Sequence, residues 1–223
     1  MRADFEMEMY NPDGSRGESC GNGLRCAGKW LWDQVWTKEE CLFVETMGSV
    51  KRMERMRERG MTRFAEDNDN IMPGESEWRV EIGEAILGNA VQVLQGERVC
   101  PVSVGNPHAV LFPAQGEPGE WPVTVLGPKI ESAKEFPNRT NVEFVKVLSR
   151  KEIVMRVWER GVGETLACGT GACAAAAVCM QNDLTDDEIT VKLLGGELLV
   201  TKDRLKKRFF LTVPAVTVYE GEL

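Results

Sequence analysis

The sequence is poor in the residues that usually mark a metal site. Its 223 residues include a single histidine, His108, and none of its seven cysteines belongs to a C-x₂-C pair. Structural zinc sites usually contain such pairs, or cysteine together with histidine. Seven is also an odd number, so disulfide bonds cannot pair every cysteine within the chain. We therefore expect neither a metal site nor a complete disulfide framework.

Positive charge and long apolar segments are also scarce. Lysine and arginine number 27 against 35 aspartates and glutamates, which gives a net charge of -8. This field repels phosphates and disfavours nucleic acids and anionic membranes, so a small-molecule ligand or a protein partner is favoured. We find no run of 18 uncharged apolar residues and no basic, apolar leader, and we expect neither a membrane span nor a signal peptide. A cytoplasmic protein with reduced cysteines is expected.

Short strand-like runs dominate what is present. Period-2 alternation in 3–10 and the run CLFVET at 41–46 indicate strands in the first part of the chain. The charge run at 51–64 is typical of a solvated strand or loop. Further runs that predict strands are WRVEI, AVQVL, CPVSV, HAVLF, WPVTVL, NVEFVKVL, EIVMRVWE, EITVKLL, ELLVT, RFFLTV and AVTVY. Many antiparallel strands with one main helix per half predict an α+β fold.

Two segments predict those helices, and one segment predicts a linker. From Leu24 the apolar residues recur at helical spacing, and GACAAAAVCMQ at 171–181 consists of strong helix formers. The polar segment 66–76 contains proline and glycine and favours a linker. We predict an N-terminal half at 1–70, completed by a C-terminal strand at 214–223, and a C-terminal half at 76–213.

The sequence Cys-Gly-polar-Gly occurs twice, beginning at Cys20 and at Cys168. Each copy comes at the predicted start of a helix, where the helix dipole and unpaired N–H groups favour a thiolate. The glycines allow a carboxylate to approach those N–H groups. Two matched thiols on opposite faces of one carbon can invert a stereocentre, one as base and the other as acid. The alternative is that both copies are tight turns with cysteine as a small buried residue.

Four stretches of this sequence resemble diaminopimelate epimerase, in that family's order and spacing. They are NPDGSRGESCGNGLRC at 11–26, SVGNPHAVLF at 103–112, FPNRTNVEFV at 136–145 and WERGVGETLACGTGACAAAA at 158–177. The resemblance implies a cofactor-independent isomerase that interconverts LL- and meso-2,6-diaminopimelate, on the route to lysine and peptidoglycan. It also implies two pseudo-symmetric halves, each a curved sheet around a central helix, with the active site in the cleft between them, and a homodimer.

The resemblance assigns roles to individual residues. Cys20 and Cys168 match the acid and base thiols, and His108 and Glu159 match a pair that tunes them. Positions matching substrate-binding residues are Asn11, Gly21, Asn22, Asn106, Asn141, Glu159, Arg160, Gly169 and Thr170. Backbone N–H groups at the helix starts suit the reacting carboxylate, Arg160 suits the distal carboxylate, and Glu159 with the asparagines suits the distal ammonium.

Structural explanations stay open for several of these residues. Asn11 and Asn106 precede prolines in turns, Glu159 and Arg160 can form an exposed ion pair, and His108 can be a structural histidine. The other cysteines, namely Cys26, Cys41, Cys100, Cys173 and Cys179, are predicted to be packing residues.

The sequence departs from the family at its beginning. Cys20 lies close to Met1, whereas Cys168 lies far into its own half, so we expect the chain to lack an N-terminal segment that the family has. Alternative functions are a related two-cysteine proline or hydroxyproline racemase, a phenazine-pathway-like isomerase, or an inactive amino-acid-binding relative. Oxidation of Cys20 with Cys168 could additionally act as a redox switch.

Overall fold

The computed structural model describes residues 2–10, 14, 16, 21–46, 49–56, 76–93 and 97–218. The chain forms two compact units. Unit 1 comprises Met1–Glu81 and Thr212–Leu223, and unit 2 comprises Ile82–Leu211. The linker predicted at 66–76 lies outside the described residues, except for Ser76 at the start of a strand.

Unit 1 contains one helix and a small sheet among its described residues. The elements are β1 (Phe5–Glu6), α1 (Gly21–Asp33), β2 (Cys41–Thr46), β3 (Ser49–Arg55) and β4 (Ser76–Glu84), the last of which continues into unit 2. Strand β1 pairs in parallel with β2, and the pairs β2–β3 and β3–β4 are antiparallel. Leu24, Gly28 and Leu31 form the buried face of α1 at helical spacing. A Cβ at Gly28 would lie 2.6 Å from Met53 Cε, so the helix approaches the sheet closely there.

The strand predicted at 3–10 is much shorter in the structure. Exposure alternates along this segment as the sequence pattern requires, but only Phe5 and Glu6 form a strand, and Tyr10 makes an isolated bridge with Arg16. The partner strand β2 ends at Thr46, one residue beyond the partner of Glu6, so the sheet offers no further backbone groups from that strand. The strand predicted at 41–46 is confirmed, and the charge run beginning at residue 51 continues β3 as far as Arg55.

Unit 2 contains most of the sheet. Its strands are β5 (Ile86–Leu87), β6 (Val91–Val93), β7 (Glu97–Ser103), β8 (Pro107–Leu111), β9 (Asn141–Ser149), β10 (Glu152–Glu159), β11 (Gly163–Thr165), β12 (Glu188–Leu193), β13 (Gly196–Asp203) and β14 (Arg208–Ala215), the last of which continues into unit 1. The order is β14-β13-β12-β10-β9-β8-β7-β5, with β11 beside β10 and β6 beside β7. Pairing is antiparallel in β7–β8, β9–β10 and β12–β13 and parallel in β8–β9 and β10–β12.

Helix α3 (Gly169–Gln181) is the central element of unit 2. It contacts β7, β8, β9, β12 and β13, so the sheet surrounds it. Residues 172–179, the alanine-rich part, are at most 2% exposed. A helix that is apolar all round is a buried one, and small side chains let strands approach from several directions. The helix predicted at 171–181 is confirmed, and so is the predicted α+β class.

The strand predicted from WPVTVL is wrong. Residues Val123–Glu131 form helix α2, which follows a short 3₁₀ helix at Pro118–Glu120. Its buried positions are Val123, Gly127, Ile130 and Glu131, the i, i+4, i+7, i+8 pattern of a helix packed on one face. The β-branched valines and threonine favoured a strand locally, but tertiary packing against the core of Trp121, Val142 and Phe144 decides the outcome.

The end of the chain also differs from expectation. Strand β14 ends at Ala215, and residues 216–218 are not in a strand, although 214–223 was predicted as one. The final five residues lie outside the described part. Among the helices that the structure describes, none is long and apolar enough to cross a membrane.

Candidate active site

Cys168 caps the N-terminus of α3, in unit 2. Its backbone is extended, and its sulfur accepts a hydrogen bond from the Gly171 N–H at 3.4 Å. The Thr170 hydroxyl lies 3.5 Å from the sulfur and is also within hydrogen-bonding reach. The second Cys-Gly motif therefore forms the helix start that the sequence predicts, with the thiol facing the first-turn N–H groups.

Cys168 is 7% exposed, and this burial is the main influence on the ionisation of its thiol. Desolvation, the charge of Glu159 and the charge of Glu143 together raise the pKa of Cys168 to about 12. The hydrogen bonds from Thr170 and from the Gly171 N–H act in the opposite direction but are weaker. In the chain without substrate, burial and two carboxylates therefore outweigh the helix terminus and favour the thiol over the thiolate.

A chain of hydrogen bonds connects His108 with the neighbourhood of this thiol. His108 Nδ1 lies 2.7 Å from Glu143 Oε1, and both side chains are fully buried. On the other side of the ring, Nε2 lies 2.9 Å from Asn106 Oδ1. The Asn106 amide then donates from Nδ2 to Thr170 Oγ1 at 3.4 Å. Three of the predicted residues, Asn106, His108 and Thr170, are thus brought together beside Cys168.

Strand pairing accounts for this meeting. Strands β8 and β9 are parallel neighbours in which His108 is paired with Asn141, two residues before Glu143. Helix α3 packs on both strands. A Cβ at Gly171 would lie 2.7 Å from Glu143 Oε1 and 3.3 Å from Cys168 Sγ, so a larger residue is excluded there. The glycine at this position therefore has a packing role, whatever the ligand.

Asn141 joins the site to the turn that carries Arg160. Its Nδ2 donates to the Pro107 carbonyl at 3.0 Å, and its Oδ1 accepts from the Arg160 backbone N–H at 2.9 Å. The Arg160 side chain reaches the Asn138 carbonyl, with Nη1 at 3.4 Å. Both ends of the Asn141 amide are used within the protein, which supports a positioning role in addition to the predicted substrate contact.

A buried carboxylate holds the same turn from α2. Glu131 is 2% exposed, and its Oε2 accepts from the Trp158 indole N–H at 2.7 Å. Its Oε1 accepts from the Gly161 backbone N–H at 2.7 Å and lies 2.7 Å from the Arg139 guanidinium. The hairpin between β10 and β11 is thus fixed on both sides of Arg160, because Gly161 and Trp158 bind one carboxylate.

Glu159 begins that hairpin turn and pairs with Gly163 across it. Its Oε1 accepts from the Thr165 hydroxyl. Its charge contributes to the raised pKa of Cys168, so the predicted thiol-tuning residue is electrostatically coupled to the thiol. The coupling favours the protonated thiol. Gly169 packs tightly as well, because a Cβ there would lie 2.8 Å from Leu211 Cδ2.

The predicted residues of the first motif belong to unit 1. Gly21 is buried at the start of α1, and Asn22 Oδ1 accepts from Arg25 Nη2 at 3.0 Å. Arg25 also donates from Nη1 to the Pro214 carbonyl at 2.8 Å. Cys20 and Asn11 lie outside the described residues.

The other cysteines differ in exposure. Cys173 and Cys179 are buried in α3 as predicted, and Cys41 and Cys100 are half-buried. Cys26 is exposed, so its predicted packing role is wrong. It lies away from the helix face formed by Leu24, Gly28 and Leu31.

Two carboxylates of this site were not predicted from the sequence. Glu143 interrupts an otherwise buried apolar run in β9, and a charged residue at such a position is a signal of a buried partner. Glu131 ends α2, and the sequence pattern at the start of that helix, WPVTVL, predicted a strand, so no helix face was expected to carry this residue. Among the described residues no group of three or more His, Cys, Asp or Glu could hold a metal ion.

Comparison with known proteins gives consistent matches. The family model "Diaminopimelate epimerase" matches residues 100–222. A diaminopimelate epimerase of Acetivibrio thermocellus is 40% identical, covering 100% of this chain and 80% of the relative. One from Methanococcus maripaludis is 37% identical, covering 99% of this chain and 80% of the relative. A solved structure of a probable proline racemase from Agrobacterium radiobacter is 15% identical with a TM-score of 0.66, covering 95% of this chain and 69% of that one, a likeness of fold.

Proposed function

Because the chain belongs to the diaminopimelate epimerase family, we propose that it interconverts LL- and meso-2,6-diaminopimelate by proton transfer at the α-carbon. The reaction needs no cofactor in this proposal and serves the route to lysine. The main support is the 40% identity to a diaminopimelate epimerase across the whole chain. A supporting observation within unit 2 is the buried Cys168 thiol at the start of α3, beside polar side chains that the family motifs identify.

In the proposed mechanism two thiols act on opposite faces of the α-carbon. One thiolate removes the α-proton, and the thiol on the other face donates its proton to the same carbon. One C–H bond breaks and a new one forms on the opposite face of the carbon, which inverts the stereocentre. The two sulfurs exchange protonation states. Cys168 is one of these thiols and Cys20 the other, and their roles reverse with the handedness of the substrate.

The ionisation of Cys168 suits the acid role before substrate binds. A pKa raised to about 12 keeps a proton on this sulfur, and the acid thiol has to carry that proton. The substrate brings an α-ammonium group, and a nearby positive charge favours the thiolate. Binding therefore moves the thiol toward the ionisation needed when the reaction runs in the other direction.

Substrate recognition is assigned from the chemistry of the neighbouring groups. Backbone N–H groups of Gly169 and Thr170 at the start of α3 suit the reacting α-carboxylate and the negative charge that develops on it. Gly21 and Asn22 at the start of α1 supply the equivalent groups for the first motif, with Asn11.

The distal end of the substrate is assigned to the hairpin turn and to the asparagines. Arg160 pairs with the distal carboxylate, and Glu159 with Asn106 and Asn141 binds the distal ammonium. Glu159 and His108 also tune the thiols. Binding both ends of a long diamino diacid separates it from an ordinary amino acid, because a shorter substrate leaves these polar groups unpaired.

The related functions with this fold differ at that distal end. The solved racemase shares the fold at 15% identity, which carries no information about the substrate of this chain. Glu159, Arg160 and the asparagine set favour a substrate with a second charged end. Activity on proline, with none on diaminopimelate, would support the racemase alternative instead.

We further propose a homodimer that acts in the cytoplasm, where the thiols stay reduced. Family resemblance supports the dimer, and sedimentation velocity measures it. Cys26, Cys41, Cys100, Cys168, Cys173 and Cys179 are all free among the described residues, as reduced thiols would be. Loss of activity under mild oxidation, restored by reductant, would be expected of a Cys20–Cys168 disulfide switch.

The decisive experiment follows the α-carbon in deuterated water. Cys20→Ala and Cys168→Ala should each abolish epimerisation of LL-diaminopimelate, because either variant lacks one of the two proton carriers. Cys26→Ala is the matched control, since this exposed thiol belongs to the same helix as the first motif and should leave deuterium incorporation unchanged. Retention of full epimerisation by either of the first two variants would disprove the two-thiol mechanism.

A further inference from the structure

Glu143 is the most deeply placed carboxylate near Cys168. Its side chain is fully buried on β9, in contact with His108 at 2.7 Å. Its second oxygen, Oε2, has no hydrogen-bond partner among the residues that the structure describes. A buried carboxylate with one unpaired oxygen is costly unless its charge is compensated. The neighbouring imidazole is the group in position to compensate it.

Both nitrogens of His108 face oxygen atoms. Nδ1 faces Glu143 Oε1 and Nε2 faces the Asn106 amide oxygen, at 2.7 and 2.9 Å. An amide oxygen only accepts, so the hydrogen of the second contact belongs to Nε2. A carboxylate also only accepts, so the first contact needs a further hydrogen, either on Nδ1 or on the carboxyl group. One proton is therefore shared between Glu143 and His108 Nδ1, which leaves the buried pair without net charge.

We propose that Glu143 is a positioning residue that, by sharing this proton, keeps hydrogen on His108 Nε2 and so directs the hydrogen bonds through Asn106 and Thr170 toward the Cys168 sulfur. The proposal rests on the proposed function, for which Cys168 is one of the reacting groups. Cys168 touches the substrate in that function, whereas Glu143 acts only through His108.

The direction of the chain follows from the donors that each member has. Since His108 Nε2–H donates to the Asn106 oxygen, the amide nitrogen is left to donate to Thr170 Oγ1, 3.4 Å away. Once Thr170 Oγ1 accepts that bond, its own hydrogen is free to point at the Cys168 sulfur, 3.5 Å away. Every bond then donates toward the sulfur, and this arrangement stabilises the thiolate when it forms.

The charged and titratable groups around the sulfur determine how much the direction of these hydrogen bonds affects the thiolate. Glu159 at the end of β10 disfavours the thiolate, whereas the proton shared with His108 offsets the charge of Glu143 on β9, and Cys173 lies on the same helix. The Thr170 hydroxyl and the Gly171 N–H favour it. Reversing the Thr170 hydroxyl would remove one of these two hydrogen bonds to a sulfur whose thiolate is already disfavoured by Glu159.

The protonation of the two His108 nitrogens can be measured directly by NMR, because His108 is the one histidine of the chain. In protein labelled with ¹⁵N-histidine, the imidazole signals belong to this residue without further assignment. We expect Nε2 to carry a hydrogen and Nδ1 to show the shift of a nitrogen that shares one. A bare Nε2, with hydrogen on Nδ1 alone, would overturn the proposal, and this wild-type measurement needs no variant to fold.

Two substitutions of Glu143 distinguish its role in positioning His108 from the space that its side chain fills. In Glu143→Gln the amide can donate to Nδ1, so hydrogen stays on Nε2 and kcat should remain within about threefold of wild type. Glu143→Met keeps an unbranched chain but removes the partner of Nδ1. The Nε2–H form then loses its advantage, the ¹⁵N shifts should move, and kcat should fall at least about tenfold with KM little changed.

Glu131→Gln is the matched control for the spectrum, since it removes another buried carboxylate of unit 2 that contacts Trp158 rather than His108. Its His108 signals should match those of wild type. Unchanged His108 shifts in Glu143→Met would overturn the proposal, whatever happens to kcat. If the wild-type chain lacks epimerase activity while its Nε2 carries hydrogen as expected, the proposed function fails and the proton arrangement stands.

Discussion

Gly127→Ala tests how the turn that carries Arg160 is supported. Gly127 lies in α2 against the side chain of Trp158, and a Cβ there would be 2.5 Å from Trp158 Cγ and 2.7 Å from Cβ and Cδ2. Ordinary contacts of a Cβ begin at 3.4 Å, so the indole has to retreat by about 0.9 Å, the difference between 3.4 and 2.5 Å. The first atoms met belong to the base of the side chain, where rotation about χ angles gives little relief.

The retreat has a second cost at Glu131. Moving the indole by this amount stretches its 2.7 Å bond to Glu131 Oε2 beyond hydrogen-bonding distance. Overpacking costs about 1–3 kcal/mol, and loss of a bond to a buried carboxylate costs about 1–3 kcal/mol more. Alanine is the better helix former by about 1 kcal/mol, which acts in the opposite direction. We expect a net loss of about 1–5 kcal/mol.

Thermal and urea unfolding measure this loss directly. For a chain of this size each kcal/mol lowers Tm by about 2–4 °C, so a loss of about 3 kcal/mol lowers it by roughly 6–12 °C. Gly119→Ala is the control, because no heavy atom of the described residues lies within 4 Å of its Cβ position, and its stability should change by less than about 0.5 kcal/mol. A Gly127→Ala chain with the wild-type Tm or a higher one would show that helix propensity decides and that the contact argument is wrong.

Two further predictions concern the carboxylate and the thiols. Glu131→Gln loses its charge-assisted bonds to Gly161 and Arg139, which hold the turn that carries Arg160. KM for diaminopimelate should therefore rise about tenfold or more, with a smaller change in kcat. An unchanged KM in steady-state kinetics would contradict this. Burial raises the pKa of Cys168 and of Cys179 to about 12 and raises that of Cys173 above its ordinary 9.0. The folded chain therefore keeps these protons at a pH where the unfolded chain has lost them, so the free energy of unfolding is highest below pH 9 and falls as pH rises. The three thiols together should lower the free energy of unfolding by about 4 kcal/mol at pH 10. Urea unfolding at pH 7 and pH 10 measures this decrease, and in Cys179→Ala it should be smaller by about a third. An equal decrease in the variant and the wild type would count against the explanation.

The sequence predicted the elements whose pattern is local. The alanine-rich helix and strand β2 follow from propensity and periodicity over short windows, and both are found at the expected residues. Helix α2 was missed because its valines favour a strand locally, whereas its identity depends on the core formed by Trp121 and Phe144, which comes from distant parts of the chain.

In the site, too, the features with a local sequence signal were predicted and those that depend on distant contacts were not. Motifs identified Cys168, Asn106, His108 and Thr170, which the fold brings within hydrogen-bonding reach of one another. The helix terminus, which favours a thiolate, is visible in the sequence, but the burial that raises the pKa of Cys168 is not. The influence of Glu143 depends on the parallel pairing of β8 with β9, a contact that no local pattern specifies.

The alanines of α3 have one more consequence. Alanine has no χ angle, so residues 174–177 lose no side-chain rotamers on folding and have none with which to absorb a displacement. Strands on several sides rest against backbone and methyl groups, and the position of the helix is therefore set by the sheet to within the tolerance of van der Waals contact. The sulfur of Cys168 is held to the same helix, because it accepts a hydrogen bond from the Gly171 N–H in the first turn.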